Sequence, residues 1–137
     1  MIFVDTGAWI ALEDIHDKNH VVAAKFREAL CAQKERFVTT SYVLDETYTF
    51  LLINICYEKA VYFHERVKRM EESALLEIIH FTEQLEEDAW IIFERFNRDK
   101  MWSFTDCTSK AVMDLSQIDE VFTFDDHFEQ VGFRRKP

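Results

Sequence analysis

Four acidic side chains in this sequence stand where they can do chemistry: Asp5, Glu46, Asp106 and Asp125. Asp5 closes the apolar run Ile2-Phe3-Val4, and Asp125 follows Val121-Phe122-Thr123-Phe124. Runs without polar alternation suit strands buried on both faces of a parallel sheet. Ligands of such sheets bind beyond the carboxyl ends of the strands, so Asp5 and Asp125 are aimed at one edge of the molecule. Asp106 falls in the first turn of a helix opened by Ser103-Phe104-Thr105. Taken singly, an Asp at a strand-to-helix junction also serves as a helix cap, and Ser103-x-x-Asp106 fits a capping box. On a helix starting at Tyr42, Glu46 shares a face with Tyr42, Val43, Phe50 and Ile53. A carboxylate in that stripe needs a cationic partner or a metal, unless the helix is turned so that it points outward. If the four acids converge, a divalent cation relieves their repulsion best, and an all-oxygen donor set suits Mg²⁺ or Mn²⁺.

The elements that must position these groups follow from periodicity and capping signals. Strands are expected at Ile2–Val4, Phe37–Thr40, Ala74–Phe81 and Glu120–Phe124, with an edge strand around Val131–Arg134. Between them lie helical patterns at Ala8–Leu12, His20–Lys34, Tyr42–Ile55 (capped by Ser41), Tyr57–Met70, Thr82–Phe96 and Ser103–Ser116. The acids Glu83, Glu86, Glu87 and Asp88 begin a helix, where they complement its dipole. Strands alternating with helices imply right-handed crossovers. The expectation is an α/β fold, a three-layer α/β/α sandwich around a mostly parallel sheet of four to five strands, with residues 1–137 forming one domain.

Composition narrows the chemistry. The chain has 137 residues, 48% of them apolar, and only two Gly and one Pro. Two glycines exclude a P-loop and a dinucleotide fingerprint. Three cysteines without a CxxC pair fit a reduced compartment and provide no zinc site. His16 and His20 lack the HExxH context and read as surface or packing residues. A phosphatase of the haloacid type needs a second Asp two residues after the first, where this chain has Gly7. A receiver domain needs an acceptor Asp after the third strand, and Ile79-His80-Phe81-Thr82 has none. No stretch approaches the roughly 20 apolar residues of a membrane span, and the expected compartment is the cytoplasm. A net charge of −10 excludes a generally basic nucleic-acid coat.

Four segments in order, Ile2-Phe3-Val4-Asp5-Thr6, Tyr42-Val43-Leu44-Asp45-Glu46, Ser103-Phe104-Thr105-Asp106-Cys107 and Thr123-Phe124-Asp125-Asp126-His127-Phe128, cover nearly the whole chain. Together they resemble the PIN-domain ribonucleases, including the VapC-type toxins of toxin–antitoxin pairs. The resemblance implies metal ligands at Asp5, Glu46, Asp106 and Asp125, with Asp126 the neighbouring choice for the fourth acid. It implies metal-dependent cleavage of single-stranded or loop RNA, a homodimer, and a small antitoxin protein as partner. A silent binding module and a housekeeping RNA-processing nuclease are the rival readings. Thr6 and Thr123 are candidates to orient carboxylates. Arg98, Lys100 and Lys110 are candidates to meet RNA phosphates, and Trp9 and Trp102 to stack on bases. Lys110 is equally placed for an ordinary intrahelical ion pair.

Overall fold

The computed structural model describes all of residues 1–137. Its five strands are β1 (Ile2–Val4), β2 (Phe37–Thr40), β3 (Leu76–Ile79), β4 (Glu120–Phe122) and β5 (Arg134–Lys136). They form one sheet in the order β3-β2-β1-β4-β5, and every pairing is parallel. Six helices accompany them: α1 (Thr6–Glu13), α2 (His20–Ala32), α3 (Ser41–Asn54), α4 (Tyr57–Glu72), α5 (Glu83–Phe96) and α6 (Phe104–Ser116). The expected three-layer α/β/α architecture is the one observed. The path runs outward from β1 to β2 and β3, then crosses back over β1 to β4. Right-handed crossovers in opposite directions cover both faces of the sheet, which is why β1 and β2 are buried throughout. No helix is long and apolar enough to cross a membrane.

Several boundaries differ from expectation for local reasons. Thr40, not Ser41, caps α3: its hydroxyl accepts from Val43 N at 3.1 Å, so the strand runs into the helix with no loop between them. β3 starts at Leu76 because Ala74 has φ 57, outside the strand region. β4 ends at Phe122. The last strand falls at Arg134–Lys136, because residues Glu129–Val131 form a 3₁₀ turn and Gly132, at φ 94, redirects the chain after it.

Aromatic and aliphatic side chains bind the helices to the sheet. Phe26 of α2 meets Phe122 edge-on, with ring centroids 4.9 Å apart. Trp9 of α1 packs against Phe63 of α4 at 5.5 Å, and its indole N–H donates to Thr39 Oγ1. Trp9 is therefore core and unable to stack on a base. Trp102 is also buried, sandwiched between Phe96 and His127.

One buried charge fixes the far end of α1, whose first end follows Asp5. Glu13 has no exposed side-chain surface, accepts from Arg66 of α4, and lies 3.3 Å from Lys59 Nζ. Breaking such a pair by removing one partner costs about 3–5 kcal/mol, because the other charge is left without compensation. Glu13→Gln is expected to lower the urea-unfolding free energy by about 3 kcal/mol. Lys59→Met, which leaves the Arg66 contact in place, is expected to lose less than half of that.

Candidate active site

The parallel pairing of β1 with β4, Val4 opposite Phe122, brings Asp5 beside Thr123. Asp5 N donates to Phe122 O at 3.1 Å, continuing the ladder one step past the strand. Asp5 occupies the N-cap position of α1, yet its side chain makes no capping bond. Its Oδ2 instead accepts from Thr123 Oγ1 at 2.9 Å. The same buried hydroxyl accepts from Asp125 N at 3.1 Å, so one oxygen ties β1 to the turn after β4. Asp125 closes its own short turn, Oδ1 accepting from His127 N at 2.9 Å, with His127 Nδ1 3.3 Å from Oδ2.

Asp106 is brought in from α6. Its Oδ2 accepts from Ser103 N and its own N–H donates to Ser103 Oγ, both at 3.0 Å, completing the capping box. Capping engages one carboxylate oxygen and no hydrogen bond engages Oδ1, so the structural role does not exhaust the group. Glu46 comes from the second turn of α3. It is exposed, not sunk in an apolar stripe. Of the residues that share its face, Val43 is buried, Phe50 packs partly against the core and Ile53 is 74% exposed, so the face straddles the core boundary and Glu46 itself is turned outward.

The structure places all four acids around a single cavity of about 730 Å³, together with Thr6, Gly7, Ser103, Thr123, Asp126 and His127. No Lys or Arg lines it. The acids feel one another. Burial, then the charge of Asp106, push Asp5 from its ordinary 3.8 to about 7, with Glu46 adding to the shift and the Thr123 hydrogen bond opposing it. Asp106 is raised by its own burial first. The Ser103 hydrogen bonds oppose that rise, and the charges of Asp125 and Glu46 add to it.

These residues suit a hard divalent cation. The donors are carboxylate and hydroxyl oxygens, and Thr6 Oγ1 is buried without a protein partner on the cavity wall. No three acidic, His or Cys side chains are set to close on one ion. Mg²⁺ commonly retains several waters and takes only one or two carboxylates directly, so the wider spacing fits a hydrated ion.

The cationic candidates lie elsewhere. Lys110 Nζ pairs with Asp114 Oδ2 at 2.7 Å and lies over Phe96 and Phe133, so the intrahelical ion pair, one turn further on than Asp106, has claimed it. Lys100 sits 3.5 Å from Asp99, and Arg98 is exposed; none of the three reaches the cavity. Asp126 is held by Arg135 Nη1 at 2.8 Å, which marks it off from Asp125. Sequence reasoning assigned nothing to His127 or Glu13. The Asp125-x-His127 spacing, which permits an Asp side chain to take the N–H two residues on, was the available signal for the histidine.

The PIN-domain profile matches residues 2–134. The chain belongs to the PIN-domain family. VapC20 from two strains of Mycobacterium tuberculosis, named as a 23S rRNA-specific endonuclease, is 37% identical over 134 residues, spanning 97% of this chain and 95% of the relative. The crystal structure of the M. tuberculosis VapC20, titled a sarcin-ricin loop cleaving toxin, superposes with a TM-score of 0.83 at 33% identity, covering 98% of this chain and 97% of that one. As a PIN domain the chain carries its clustered acids at the carboxyl edge of the sheet.

Between pH 3.8, where the unfolded chain loses the Asp5 proton, and about 7, where the native protein loses it, the native state holds more protons. Stability therefore falls as pH rises through that window. The metal-free protein is expected to lose roughly 4 kcal/mol more between pH 4 and pH 8 than Asp5→Asn does, read as the difference in urea-unfolding free energies.

Proposed function

We propose that this PIN domain, taken as residues 1–137, is a divalent-metal-dependent endoribonuclease and the toxin of a toxin–antitoxin pair. The observation that carries the reading is the delivery of Asp5, Glu46, Asp106 and Asp125 from four separate elements to one cavity lined by no Lys or Arg. A cluster of this kind, unused, would be repulsion without return. Asp5, Glu46, Asp106 and Asp125 are the residues that would hold Mg²⁺ or Mn²⁺. Bound there, the ion would supply Lewis acidity for a phosphoryl oxygen and a more acidic water for hydrolysis.

The chain's own contributions are positional. Thr123 fixes the Asp5 carboxylate through its hydroxyl and holds the Asp125 backbone with the same atom. Ser103 fixes Asp106. Thr6 offers an unpartnered hydroxyl on the same wall, suited to a water of the hydrated ion. With no cation in the cavity, the scissile phosphate depends on the metal for charge compensation, so activity without metal should be negligible.

The name and title of VapC20 make a loop of large-subunit ribosomal RNA the first substrate to try. A small antitoxin protein, a homodimer and a cytoplasmic setting complete the reading. Exposed apolar side chains on α3 and α4 (Leu52, Ile53, Tyr57, Tyr62) and on α5 (Trp90, Ile91) supply surface for such partners.

The test is cleavage of a sarcin-ricin-type RNA hairpin, followed by gel, with Mg²⁺ or Mn²⁺ and with chelator. Cleavage is expected only with metal, and Asp5→Asn is expected to reduce it by at least about 100-fold. Metal should also raise the melting temperature of the parent and leave that of Asp5→Asn unmoved. Asp125→Asn should lose most of the activity, whereas Asp126→Asn, which breaks only an exposed pair with Arg135, should stay within about fivefold of the parent. Cleavage that persists in chelator, or in Asp5→Asn, overturns the reading.

A further inference from the structure

A second hollow lies at the other edge of the sheet, and its charge is opposite. It is a cavity of about 340 Å³ whose lining includes Arg27, Arg66 and Arg69, with Phe37 and Met70 among its apolar residues and no acidic residue. Phe37 opens β2 and Leu75 precedes β3, so this hollow sits at the amino ends of the strands, away from the acids that follow β1 and β4. Arg66 gives one nitrogen to Glu13. Arg27 and Arg69 have no carboxylate partner, although most of the chain's cations do and acids outnumber bases by ten. Arg69, in the last turn of α4, complements that helix's negative end. Arg27, in the middle of α2, has no such role.

We propose that Arg27, Arg66 and Arg69 form a binding site for a phosphorylated ligand of nucleotide size. Guanidinium groups hold phosphate oxygens through paired N–H donors, and an unpaired guanidinium in a concave site is predisposed to do so. The volume falls within the range of small-molecule pockets. Apolar residues beside the arginines suit an organic body carrying phosphate better than an extended strand of RNA. The site is separate from the cleavage chemistry and stands whether or not the nuclease reading holds.

Cys31, exposed on the lining of this hollow, is a built-in reporter, and the exposed Cys56, which precedes α4 and lies off that lining, is its control. The experiment measures iodoacetamide alkylation of both thiols in the full chain, in metal-free buffer, by mass spectrometry, against increasing ADP, inorganic phosphate or a short single-stranded RNA. Saturable protection of Cys31 by ADP, with Cys56 unaffected and the effect weakened at least about tenfold in Arg27→Gln/Arg69→Gln, supports the site. Weaker protection by inorganic phosphate than by ADP supports a ligand of nucleotide size; equal protection overturns it. No protection by either, protection undiminished in the double variant, or protection by RNA alone overturns it. Circular dichroism of the double variant distinguishes loss of binding from loss of fold. If the double variant unfolds, Arg27→Lys and Arg69→Lys, which retain charge but lose the paired donors, replace it, and unchanged ADP protection in both overturns the proposal.

Discussion

Asp5 and Asp106 repel each other, and the polar contacts around them hold them in place against that repulsion. Each is anchored through one carboxylate oxygen by a neutral donor, Asp5 by the Thr123 hydroxyl and Asp106 by the Ser103 backbone. Neither is given a cation. A salt bridge at either position would lower the energy of the resting protein and remove the reason for a metal to enter. The arginines and lysines are instead used elsewhere, most visibly in the buried Glu13 contact that locks α1 to α4.

Charge is thus sorted along the strand direction. The carboxyl edge gathers acids around the larger cavity, and the amino edge presents the arginine-lined hollow. The net charge of −10 describes neither edge, because it averages a divided surface. Local fields in clefts, rather than the overall sum, govern what binds where.

The topology was legible in the sequence because its signals are strong ones: unbroken apolar runs for buried strands, and Ser or Thr ahead of helices. The meeting of Asp5, Asp106 and Asp125 at one edge was legible as well, since strand ends and a first helical turn fix where a side chain is aimed, although capping accounts for each Asp taken alone. For Glu46 the sequence left two orientations open, and the outward one holds. The face it occupies is apolar by composition, yet Ile53 and Leu52 on the same helix are largely exposed, and hydrophobic periodicity alone does not say which side of a mostly apolar helix meets the core. The cationic candidates lie off the cavity for a related reason. Lys110 sits one turn from both Asp106 and Asp114, and sequence spacing does not choose between them. Glu13 and the arginine hollow depend on contacts between α1, α2 and α4, which are distant in the chain and invisible to any local pattern.

The Thr123 hydroxyl has a single hydrogen and spends it on Asp5. An ionised Asp5 can only accept, so the hydrogen must come from the threonine. Once Asp5 carries its own proton, the acid can become the donor and the threonine hydrogen is released to turn elsewhere, with the Asp125 amide still bound to the same oxygen. One hydroxyl rotor is therefore tied to the charge of Asp5, while its oxygen keeps the loop that holds Asp125 joined to the centre of the sheet.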